Sequence, residues 1–144
     1  IRFLEKEAVR IGGGVNHRMG LYDMIMLKDN HIDFAGGIKD AIHQTNLYLE
    51  KEKLDLKIEI ETRDLNEVKE VLKVGQVHRI MLDNFSYADL TTAVQMIDGK
   101  YETEASGGIN LDTVRHYAEC GVNYVSVGAL THSVHNMDLS LKAI

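Results

Sequence analysis

The spacing of β-rich runs constrains this chain more than any other feature. Such runs fall at residues 24–27, 58–62, 79–82, 101–104 and 124–127. From the second onward they recur every 21 to 23 residues, the length of one strand–helix unit with short loops. The stretches between them carry helical periodicity. Ile38, Ala41, Ile42, Thr45 and Leu49 line one face, and Leu65, Val68 and Leu72 another. Leu90, Ala93, Val94 and Ile97 repeat the pattern, as do Leu111, Val114, Tyr117 and Ala118. Asp64 with Glu67 reads as a capping box, and Ser86 and Asn110 as caps of the next two helices. Gly75, Gly99 and Gly121 mark helix ends. Parallel strands joined by helices define an α/β fold, doubly wound or closed as a barrel. The even period favours the barrel. Five strands are too few to close one, so the expectation is an incomplete, open TIM-like β/α barrel.

Bulk properties exclude several classes. With 144 residues, the chain is long enough for one domain with a real core. A net charge of −6 argues against a nucleic-acid or anionic-membrane partner. No apolar run approaches the roughly 20 residues that span a bilayer. The single Cys120 rules out an internal disulfide, and the seven histidines are scattered without metal-ligand spacing. A reducing cytoplasm is the expected compartment. Phe3, Leu4, Ala8 and Ile11 repeat at helical spacing, so the chain opens inside a helix. That predicts a piece of a longer protein.

Barrel chemistry sits at the C-terminal ends of the strands, and polar clusters stand there. The first run ends at Lys28-Asp29-Asn30; the second carries Glu59 and Glu61; the third ends at Asp83-Asn84. The fourth ends at Glu104-Ala105-Ser106-Gly107-Gly108 and the fifth at Gly128-Ala129-Leu130-Thr131-His132-Ser133. Upstream, Gly12-Gly13-Gly14 leads to His17 and Arg18. His17, Arg18 and Lys28 put three potential cations near one another in an acidic chain, which points to a small anionic ligand. Glycine amides here and at the last two strand ends suit an anion or phosphate. Glu61 and Asp83, one βα unit apart, can hold Mg²⁺ through water, bind ribose hydroxyls or steady a developing positive charge; the plainer alternative is that one pairs with Lys28. Glu59 shares the face of Glu61. His31 reads as a cap or loop contact; His43, His78, His116 and His135 as surface or boundary residues. Met19, Met24, Met26, Met81 and Met96 read as core filler.

Five blocks carry a resemblance: GGGVNHRMGLYDMIMLKDNHI (12–32), IEIET (58–62), IMLDNF (80–85), EASGGINLDTV (104–114) and GVNYVSVGALTHS (121–133). In this order they resemble the C-terminal domain of the quinolinate phosphoribosyltransferase family over nearly the whole chain. The resemblance implies that residues 1–144 are the C-terminal barrel domain of a longer enzyme, without its N-terminal domain and first barrel strands. The implied reaction joins quinolinate to phosphoribosyl pyrophosphate with Mg²⁺. It yields nicotinate mononucleotide, carbon dioxide and pyrophosphate for NAD synthesis. By matching motif, His17 and Arg18 grip the quinolinate carboxylates and Lys28 lies between the two substrates. Glu61 and Asp83 face the ribose and metal. Ser106, Gly107, Gly128 and His132 cradle the phosphates. A homodimer or higher homo-oligomer is implied for the full-length protein, and the chain alone is expected to be inactive.

Two other functions fit some of these residues. One is a barrel aldolase using Lys28 as a Schiff-base amine. The other is a non-catalytic or molybdenum-uptake-related paralogue that binds a phosphorylated metabolite.

Overall fold

The computed structural model describes residues 1–134 and 137–143; His135 lies outside them. Helix α1 (Arg2–Ile11) comes first, followed by strand β1 (Ile25–Leu27) and helices α2 (Asp29–Ala35) and α3 (Ile38–Glu52). Then β2 (Ile58–Thr62), α4 (Leu65–Val74), β3 (Arg79–Asp83), α5 (Tyr87–Ile97) and β4 (Glu102–Ser106) alternate. The order ends with α6 (Val114–Glu119), β5 (Tyr124–Val125) and α7 (Ala129–His132). All five strands are parallel and lie in sequence order, β1 to β5. The sheet is open, an arc of a TIM-like barrel. Along the outer side of β1 a groove is lined by Ile25, Leu27, Phe34, Thr45 and Tyr48.

Register assigns each side chain to a face. Ile58, Ile60, Thr62, Ile80, Leu82 and Ala105 alternate onto one face, and all are buried. The inward sides of α3, α4 and α5 cover them with Ile38, Ile42, Val68, Val71, Leu90, Ala93 and Ile97. Consecutive helices pack side by side from α2 to α6. The opposite face carries Met26, Glu59, Glu61, Arg79, Met81, Asp83, Glu102, Glu104, Ser106 and Tyr124. A parallel sheet normally buries aliphatic side chains on both faces. Here the second face is the polar inner wall of the arc. Residues 12–24 reach it, because His17 contacts Glu59 there.

Local signals act largely as their residue types require. Asp64 Oδ1 accepts the amides of Asn66 and Glu67, and Ser86 Oγ that of Asp89. Glu67 reaches back to the amide of Arg63, one residue short of a true capping box. Asn110 caps a turn instead of the helix, which starts at Val114. Leu111 and Ala118 are consequently exposed and do not join the core stripe. β1 stops at Leu27: Lys28 is the N-cap of α2, a helix that leaves no stripe in the sequence because seven residues carry too little periodicity. Of the methionines, Met24 and Met81 are buried, while Met19 is exposed. The triple glycine has a structural job. The amides of Gly12, Gly13 and Gly14 bond to Ala8, Arg10 and Val9 carbonyls and close α1, so they are not available to a ligand.

Packing of this kind sets a contrast in stability. Leu90→Ala, at a fully buried position, should lower the free energy of unfolding by about 2–5 kcal/mol. Leu111→Ala, at an exposed one, should stay within about 0.5 kcal/mol. Urea unfolding followed by circular dichroism measures both; equal losses would contradict the assignment of faces.

Candidate active site

Five strand ends meet at one rim because the strands are parallel and staggered by little. Glu61 lies opposite Met81, and Asp83 opposite Ser106. Lys28 follows β1 one step beyond the Leu27–Ile60 pairing. Burial raises the Glu61 carboxyl above its ordinary range; the Asp83 charge adds to this, and the Lys28 charge opposes it. Register and these charges together put Lys28 and Asp83 on either side of Glu61 at the rim. No salt bridge to Lys28 occurs among the described residues, so the expected alternative of a Lys28–carboxylate pair is not formed. His31 serves as a cap: its Nδ1 accepts the Lys28 amide at 3.0 Å, which fixes the turn that carries Lys28.

Asp83 is held through its neighbour. Asn84 adopts φ 56° and donates from Nδ2 to Asp83 Oδ2 at 2.6 Å, while its own amide bonds to Ser106. Gly107 sits against Asn84 with φ 104°; a Cβ there would overlap Asn84 Oδ1 and come within 2.8 Å of its backbone nitrogen. Glycine is required at this point by both conformation and space. At the last strand end, His132 folds back over Gly128, where a Cβ would stand 3.0 Å from Nε2. His132 Nδ1 also lies 2.7 Å from Ser133 Oγ. Of the expected phosphate cradle, Ser106 and Gly107 thus stand beside Asp83 and Asn84, and His132 beside Gly128.

Deeper on the inner face lies a network of residues distant in sequence. His17 Nε2 is 2.6 Å from Glu59 Oε2 and 3.7 Å from Glu104 Oε1. Glu59 and Glu104 are both buried. Arg79 donates to Glu104 at 2.7 Å and to Glu102 at 3.0 Å, and stacks 4.0 Å over the Tyr124 ring. Ser126 Oγ also donates to Glu104. Burial raises the Glu59 carboxyl, with His17 opposing the shift; Arg79 holds Glu102 below its ordinary range. A signal was present: two glutamates at alternate positions in β2, and two more in β4, where a parallel sheet should carry aliphatic residues. Arg18 stands apart from this network, with its guanidinium 3.4 Å from the Met24 carbonyl.

Two groups have donors that suit a cation. His17, Glu59 and Glu104 offer ligand atoms within 4.8 Å of one another. Glu104, however, already carries the Arg79 charge, which opposes a second cation. Glu61 and Asp83 are the better fit for a hard ion: both are carboxylates at the rim, and the burial and mutual repulsion that raise Glu61 are what a divalent cation relieves.

Fold and site together define an α/β-barrel domain whose strand ends gather cations, carboxylates and glycine turns at one rim. The model of the quinolinate phosphoribosyl transferase C-terminal domain matches residues 1–142. The chain is 49% identical over 99% of its length to "Nicotinate-nucleotide pyrophosphorylase [carboxylating], chloroplastic" of Oryza sativa, covering 42% of that protein. It is 41% identical to the probable nicotinate-nucleotide pyrophosphorylase of Bacillus subtilis, over 98% of this chain and 47% of that one. Among solved structures, NadC from Streptococcus pyogenes superimposes with a TM-score of 0.90 at 41% identity, over 99% of this chain and 48% of that one. The chain belongs to the quinolinate phosphoribosyltransferase family, in its C-terminal domain. It spans about half the length of the relatives it matches. These names support neither the aldolase nor the non-catalytic alternative. No helix among the described residues is long and apolar enough to cross a membrane.

The raised Glu61 has a pH consequence. The folded chain holds its proton more tightly than the unfolded chain, so folded stability falls as pH rises from the ordinary value of 4.5 into the raised range. In EDTA, Glu61→Gln should melt above the parent at about pH 7.5, and the gap should close at about pH 3.5, where both states are protonated. A gap of the same size at both pH values would contradict this.

Proposed function

We propose that the protein transfers the phosphoribosyl group of phosphoribosyl pyrophosphate to quinolinate, with decarboxylation, and that this chain supplies the rim where the transfer occurs. The observation that carries the reading is the strand register that sets Lys28, Glu61 and Asp83 at the ends of three consecutive parallel strands, within a chain of this family. In this reading His17 and Arg18 hold the quinolinate carboxylates, and Lys28 lies between the diacid and the pyrophosphoryl donor. Fixed cations let two anionic substrates approach without mutual repulsion, converting a bimolecular encounter into a positioned one. Ser106, Gly107, Gly128 and His132 cradle the phosphates.

The pyridine nitrogen forms a bond to C1 of the ribose as the C1–oxygen bond to pyrophosphate breaks, its electrons leaving with pyrophosphate. Positive charge builds on the ribose ring, and Glu61 and Asp83 are placed to stabilise it. The carboxylate beside the ring nitrogen then leaves as carbon dioxide; its electron pair stays on that ring carbon, stabilised by the cationic nitrogen, and the carbon takes up a proton from solvent water. Mg²⁺ held through Glu61 and Asp83, by way of water, would neutralise charge on the departing pyrophosphate.

The reading extends to the whole protein. This chain is its C-terminal barrel domain; an N-terminal domain and the earlier strands complete the barrel, and the full-length protein works as a homodimer or higher homo-oligomer. Support comes from the open edge at β1 and from relatives about twice as long. The single, unpaired Cys120 supports a reducing cytoplasm, although the rice relative is named chloroplastic.

Calorimetry with the full-length protein tests the assignment. Arg18→Ala and Lys28→Ala should each weaken quinolinate binding by on the order of tenfold or more. Asp83→Asn should lower kcat with little effect on quinolinate affinity. Unchanged affinity in both cation variants would refute the site, as would wild-type-like turnover by the 144-residue chain alone.

A further inference from the structure

We infer that Glu59 is a positioning residue that orients His17 for quinolinate, an inference that rests on the reading of His17 as a quinolinate-binding group. Glu59 is buried at the centre of the inner face, between Met26 of β1 and Arg79 of β3. Arg79 gives its hydrogen bonds to Glu102 and Glu104. Glu59 is therefore not needed to satisfy that guanidinium. Its described side-chain hydrogen bond is the one to His17. Oε1 of Glu59 is buried with no hydrogen-bond partner among the described residues. A half-satisfied carboxylate in the middle of a sheet is destabilising, which a purely structural role does not explain.

His17 is the group that benefits. It sits on a segment without regular structure, which by itself leaves the imidazole free to turn. The 2.6 Å contact commits Nε2 to Glu59 and leaves Nδ1 as the ring nitrogen for a ligand. A histidine's tautomer and orientation are set by the partner of its other nitrogen. The second carboxylate, Glu104, is 3.7 Å from His17 and already accepts from Arg79 and Ser126. It buttresses the site but does not hold the ring.

A double-mutant cycle in the full-length protein tests this, with quinolinate affinity read by calorimetry. Glu59→Leu should weaken quinolinate binding on the order of tenfold, the size of one lost hydrogen bond to a charged group. Affinity for phosphoribosyl pyrophosphate should change less than about twofold, since no group acting on it is touched. Glu59→Gln keeps an acceptor oxygen in the same place and should restore most of the loss. In a His17→Ala background, Glu59→Leu should add nothing further. A full additional loss in that background, or equal loss of both substrates, would overturn the inference while leaving the binding role of His17 intact. If His17→Ala alone leaves quinolinate affinity unchanged, that role fails and this inference with it.

Discussion

The alternation of side chains across a parallel sheet is the constraint on which the rest depends. Alternate positions of β2, β3 and β4 divide by charge: every charged residue faces inward, while Ile58, Ile60, Ile80, Leu82 and Ala105, with Thr62 and Thr103, face the helices. A one-residue slip in any of these strands would put charged side chains into the helix-packed core: Glu59 and Glu61 from β2, Arg79 and Asp83 from β3, Glu102 and Glu104 from β4. The same register that closes the hydrophobic layer therefore builds the site. Fold and function are not separate properties of these strands.

The inner face holds charge at two depths, and the two are handled differently. At the deeper level Arg79 ties Glu102 and Glu104 together, and His17 bridges toward Glu59. Charges buried in this way are costly when left alone, so they pair. At the rim, Glu61 and Asp83 lie beside Lys28 without forming a described ion pair with it. Unpaired rim charges are free to meet a ligand. The Arg79 pairs hold the wall on which the rim stands, and the His17–Glu59 contact fixes the imidazole against it.

Much of this was legible from residue order. The strand–helix period gave five parallel strands, and β2 matches the expected span of Ile58–Thr62. Polar residues at the strand ends pointed to the rim, where Lys28, Glu61, Asp83, Ser106 and Gly107 do gather. What periodicity could not reveal was short or non-local. Helix α2 has seven residues, too few for a stripe. The approach of His17 to Glu59 spans 42 positions, and no local pattern encodes it. The triple glycine suits a ligand turn and a helix end equally well in sequence; the hydrogen bonds to Ala8, Val9 and Arg10 make it a helix end.

A crystal structure of the full-length protein with quinolinate and a non-hydrolysable phosphoribosyl pyrophosphate analogue addresses the convergence directly. The diacid should contact His17 and Arg18, with Lys28 between the ligands and the ribose facing Glu61 and Asp83. Ligands bound instead on the helix-covered face, or in the groove beside Phe34 and Tyr48, would show that the inner wall is not where the chemistry happens.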